Sequence, residues 1–87
     1  MLTFSPSNFE GVLEKNLTEL GLKHFKVSVC DGPTPDSIFI TLTVYNKLDE
    51  VHSTHQMAIL KSAMDDIHAQ VVAEALWSVI NESKNDN

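Results

Sequence analysis

The side chains with the most capacity for chemistry in this 87-residue chain are four histidines, one cysteine and twelve carboxylates. Asp49, His52 and His55 follow one another at three-residue intervals, with Asp65, Asp66 and His68 further on. On a helix, positions three apart are neighbours, so Asp49 with His52, or His52 with His55, would share a divalent metal. On a strand, His52 and His55 face opposite sides and do not. There is no HExxH motif and no second cysteine to complete a zinc set, so no metal and no cofactor is expected. Cys30 and His24 fall on one face of an alternating segment, but six residues of strand separate them by about 20 Å. That distance exceeds the reach of a thiol–imidazole pair. Asp65 and Asp66, adjacent on a helix, diverge by about 100° and do not converge on one reacting atom. They suit the first turn of a helix, where the dipole favours acids. Gly11, Gly21 and Gly32 stand isolated and build no phosphate cradle. A non-enzymatic chain is expected.

Size and charge narrow the classes further. Eighty-seven residues make one domain and not two, with a core too small to be strongly stable alone. A single cysteine cannot form an internal disulfide, which a secreted domain this short would ordinarily need. Met1–Glu10 shows no basic stretch followed by an apolar core. The longest apolar runs fall far short of the roughly 20 residues of a membrane helix. A soluble, cytoplasmic setting without membrane contact is expected. Six Lys and no Arg oppose twelve acids, for a net charge of −6. Duplex-DNA binding rests on neutralising phosphates and often on Arg at guanine edges, so duplex DNA is disfavoured as a partner. Residues 1–48 carry four Lys and five acids, whereas residues 49–87 carry two Lys and seven acids. A basic partner would be drawn to the C-terminal half.

The elements that position these groups are legible from periodicity. Ser7 and Glu10 form a capping box before Phe9, Val12 or Leu13, Leu17 and Leu20, and Gly21 with Leu22 supplies a Schellman stop. A helix is expected over about residues 8–20. Lys23–Cys30 alternates strictly, with Phe25, Val27 and Val29 on one face, and Asp31–Asp36 is dense in turn formers. Ser37–Tyr45 places Ile38, Ile40, Leu42 and Val44 on one face and Phe39, Thr41, Thr43 and Tyr45 on the other. These two segments form an antiparallel hairpin. Residues 46–63 admit two readings: a third strand to about Leu60, or a helix opened by Ser53 and Gln56. The strand is preferred, because the helix would run to about 42 Å at 1.5 Å per residue. A final helix follows over about residues 63–81, with Met64, Ile67, Val71, Ala75 and Val79 as its core stripe and Val72 and Leu76 beside it. The expected fold is a small α+β domain, α-β-β-(β)-α, an antiparallel sheet with helices packed on one face. The domain covers residues 1–81, and residues 82–87 form a polar, disordered tail.

This element order resembles that of double-stranded-RNA-binding domains. The Lys-rich start of their last helix is replaced here by Ser62-Ala63-Met64-Asp65-Asp66, of opposite charge, so the resemblance implies topology and not RNA binding.

Two surfaces read as binding sites. Ala69, Ala73, Trp77 and Ile80 form a second apolar stripe on the last helix, suited to a symmetric homodimer; the competing reading folds Trp77 over the monomer. Lys26, Phe39, Thr41 and Tyr45 lie on the open side of the sheet, where aromatics beside Lys could stack single-stranded bases. The function expected first is a protein-interaction module, a small acidic adaptor or inhibitor of the kind that suits a phage or mobile element. It would present Asp65, Asp66 and Glu74 to a basic protein surface. The alternative is a single-stranded nucleic-acid binder using the open sheet.

Overall fold

Pro6 opens the first helix, because its fixed φ suits the first helical position and its missing N–H would find no helical partner there. Ser5 precedes it as an extended N-cap, with its hydroxyl 3.4 Å from the amide of Asn8. Helix α1 spans Pro6–Glu19 in a computed structural model that describes residues 3–85. It starts two residues ahead of the expected position, and Ser5 displaces Ser7 as the cap. Phe9, Leu13 and Leu17 are buried, while Val12 and Leu20 are half-buried. The Schellman stop forms as expected. Gly21, at φ 106°, donates to Thr18 O at 3.0 Å, and Leu22 N–H donates to Leu17 O at 3.1 Å. Leu22 then folds into the core.

His24 has a left-handed φ of 56°, so β1 begins at Phe25, two residues after the start of the expected alternation, and spans Phe25–Asp31. A tight loop returns the chain into β2, Ser37–Tyr45. Asn46 organises the next turn, its Oδ1 accepting the N–H groups of Leu48 and Glu50 at 2.9 and 3.0 Å. Residues 51–60 then form the strand β3, Val51–Leu60, not a helix. Both neighbouring pairs are antiparallel and the sheet order is β1-β2-β3. Val27 pairs with Leu42, Ile40 with Met57 and Ile38 with Ile59, which fixes one face of all three strands. A bulge opposite Val44 and Tyr45 interrupts β3 near His52, and pairing is regular from Ser53 onward.

Lys61–Ala63 makes one 3-10 turn, and α2 runs over Asp66–Asn85. The helix thus continues four residues past its expected end, into the segment expected to form a tail; Asp86 and Asn87 lie outside the described residues. Both helices cover the same side of the sheet. Phe9, Leu13 and Leu17 of α1 join Val27, Ile38, Ile40, Leu42 and Val44 of the sheet and Ala69, Val72, Ala73, Leu76 and Ile80 of α2 in one core. The α+β architecture with helices on one face is therefore as expected. The phase of α2 is not. Of its expected core stripe, Met64 is buried just ahead of the helix, while Ile67, Val71, Ala75 and Val79 are exposed. Among the described residues, no helix is long and apolar enough to cross a membrane.

Candidate functional site

Asp65 immediately precedes α2. One of its oxygens, Oδ1, accepts the backbone N–H of His68 at 2.8 Å and lies 2.8 Å from Nδ1 of the same histidine. This is an N-cap, reinforced by a side chain one turn on. The backbone bond first, and the imidazole second, hold the Asp65 carboxyl below its usual range. Asp65 is buried, so it presents nothing to a partner. The acidic face expected from Asp65, Asp66 and Glu74 is corrected accordingly: Asp66 and Glu74 are exposed, as is Glu82, whereas Asp65 is structural. Among the described residues, no hydroxyl or thiol is hydrogen-bonded to His68.

The stripe expected to mediate self-association is likewise corrected. Ala69, Ala73 and Ile80 are core residues, and half-buried Trp77 packs close to Gly21 at the end of α1. The physical reason is size: alanines let α2 approach α1 and the sheet closely, which Ile67 or Val71 in their place would prevent. The helix therefore turns its larger β-branched residues outward. Ile67, Val71 and Val79 are exposed by 67, 57 and 45%, with Ala75 between them at the same four-residue spacing. Such spacing makes a nearly continuous ridge. At 100° per residue, Glu74 and Glu82 fall in the same outward arc. On the flank towards α1, Asp66, Ile67 and Gln70 line an open groove of about 350 Å³ with Val12, Lys15, Asn16 and Glu19. The result is an apolar ridge edged by carboxylates, and sequence reading missed it by assigning the same residues to the core.

The other face of the sheet is open, as expected, and Lys26, Phe39, Thr41 and Tyr45 all lie on it. They do not form a platform. Phe39 and Tyr45 sit at opposite ends of β2, roughly 20 Å apart along the strand, with threonines between them. Lys26 pairs with Thr43, and no second Lys stands on this face of the three strands. His52 is exposed at the bulge and His55 points to the helix side beside Leu42, where its Nε2 lies 3.0 Å from Ser53 Oγ. No three His, Cys, Asp or Glu residues converge as metal ligands among the described residues. Cys30 is exposed on the open face opposite Phe39, while His24 lies outside β1, before its first residue.

No protein-family model matches this chain, and no curated protein or solved structure matches it either.

Proposed function

We propose that this chain is a non-enzymatic protein-interaction module, a small acidic adaptor or inhibitor, that engages a basic protein surface with the outer face of α2. The observation that carries this reading is the exposure of Ile67 and Val71 on a helix whose opposite side is fully packed. Large apolar side chains held out in a row mark interaction surfaces more often than isolated ones do. Glu74, Glu82 and Asp66 beside them set the sign of the partner, because carboxylates around an apolar contact steer and align Lys and Arg. The apolar ridge provides affinity through desolvation; the acids provide orientation and rate of encounter.

The test is retention of proteins from a source-cell lysate on the immobilised chain, with the eluate identified by mass spectrometry and checked for nucleic acid. A single stoichiometric protein with a basic surface is expected, released by added salt and lost on Val71→Lys. Glu74→Gln should weaken it less and flatten its salt dependence. Retention indifferent to Val71→Lys, or an eluate that is nuclease-sensitive and free of protein, refutes the reading. The second outcome would move the site to the open sheet face, where Phe39→Ala and Tyr45→Ala become the informative variants.

A further inference from the structure

The two edges of the sheet are protected unequally. At β1, Glu10 reaches across from α1, and its Oε2 accepts the N–H of Val29 at 2.9 Å. One amide of that edge is thus occupied, and Lys26 stands on the same strand. At β3, the other edge, ten residues from Val51 to Leu60 contain no Lys, Arg, Asp, Glu or Pro. Among the described residues, no side chain and no other segment bonds to the β3 backbone from outside the sheet. Alternate residues of an edge strand turn their N–H and C=O groups outward, and monomeric proteins normally block such a row with charge, proline, bulges or a cover. Here the single bulge lies at the start of the strand, and the rest pairs regularly with β2 and is unguarded on its outer side.

We propose that β3 pairs antiparallel with β3 of a second copy of this chain, joining two three-stranded sheets into one of six strands. Charge selects the occupant. The chain carries −6 overall, so most of its surface repels its own copy, but β3 holds no charged residue and two such strands meet without like charges opposed. The side-chain alternation also permits it. A pairing centred on Gln56 sets Thr54 opposite Ala58 and His55 opposite Met57, which keeps the helices of both copies on one side of the joined sheet. Cover supports it too. Ile38 and Ile40 of β2 are buried to 1 and 0% exposure, yet their partners Ile59 and Met57 on β3 remain only half-buried. A neighbouring strand with its own helices would extend the cover where it runs out. The pairing is independent of what α2 binds.

Sedimentation equilibrium from low to high micromolar concentration should show a monomer–dimer equilibrium. Hydrogen exchange should show β3 amides that are protected when concentrated and released on dilution. Thr54→Lys combined with Ala58→Lys, both at exposed positions, places like charges across the seam; the dissociation constant should rise about tenfold, with unchanged circular dichroism in dilute solution. A monomer at every concentration overturns the proposal. So does a dimer whose β3 amides exchange no more slowly than in the monomer, or a monomer that instead captures an extended segment of another protein along β3. Should the double variant not fold, hydrogen exchange of the unmodified protein decides alone.

Discussion

Ile67 and Ile80 lie on the same helix, and truncating each to alanine removes the same atoms from opposite sides of it. Ile80 is 2% exposed and Ile67 is 67% exposed. Emptying a buried isoleucine site costs about 2–5 kcal/mol, including the cavity left behind. Ile80 lies in the last two turns of α2, a site that can partly collapse, so the lower part of that range applies, ~2–3 kcal/mol. Ile67 buries about a third of its surface, worth roughly 0.5–1 kcal/mol on the 1.5–3 kcal/mol of a fully buried side chain. Alanine returns a few tenths of that as the better helix former. For a domain of this length each kcal/mol moves the melting temperature by roughly 4–8 °C. Ile80→Ala should therefore lower Tm by about 8–24 °C and Ile67→Ala by less than about 6 °C. Thermal unfolding followed by circular dichroism, at protein concentrations low enough to avoid self-association, measures both. Equal shifts, or a larger one at Ile67, would mean that α2 is rotated about its axis and that the proposed binding ridge is core.

Asp65 gives a pH-dependent outcome. Its carboxyl is held below 3.8 in the folded chain, so its contribution to stability is complete above that value and fades as pH falls through the folded value. Asp65→Asn keeps a capping oxygen without the titration, and its Tm should fall less than the parent's between pH 5 and pH 2; parallel curves would refute the capping account. Glu10→Ala removes the acceptor for Val29 N–H and should cost about 1–3 kcal/mol in urea unfolding, whereas Glu10→Gln, which keeps an oxygen there, should cost less. Gly32→Ala should destabilise by at least ~1 kcal/mol, the usual lower bound for overpacking, because its Cβ would stand 2.8 Å from the carbonyl carbon of Ser37 and 2.9 Å from the amide of Ile38.

The strands were legible because alternation has only two phases. Once Ile38, Ile40, Leu42 and Val44 share a face, that face is the core, and the structure buries all four. Gly21 and Leu22 fixed the end of α1 for the same reason: a left-handed stop has few sequence solutions. The start of α1 was misplaced because Ser5 and Ser7 both resemble caps, and the choice was settled by Pro6 and by a contact nineteen residues away, Glu10 with Val29. The phase of α2 differs from the expected one because the helix carries apolar residues on two stripes, and packing against α1 and the sheet selects the one that holds the alanines. A signal for the correct phase was present. Gln70, Glu74, Ser78, Asn81 and Glu82 centre on the same side as Ile67 and Val71, and the polar arc, unlike the apolar one, points one way. The unguarded edge of β3 was not visible at all until the order β1-β2-β3 was known, because an edge is a property of topology.

The order of elements along the chain has a consequence for how this protein is made. Each strand pairs with the next one in sequence, so the sheet needs only short loops to close and forms quickly once its residues are free. On the ribosome, α1 and all three strands emerge before α2, which is the last element described. Until α2 follows, the inner row Ile38, Ile40, Leu42 and Val44 has only α1 to shield it, and the free edge of β3 lies beside it. A chain stopped short of α2 would expose both at once, the combination that feeds aggregation. The twenty residues of α2 thus act, during synthesis, as the cover that completes the core.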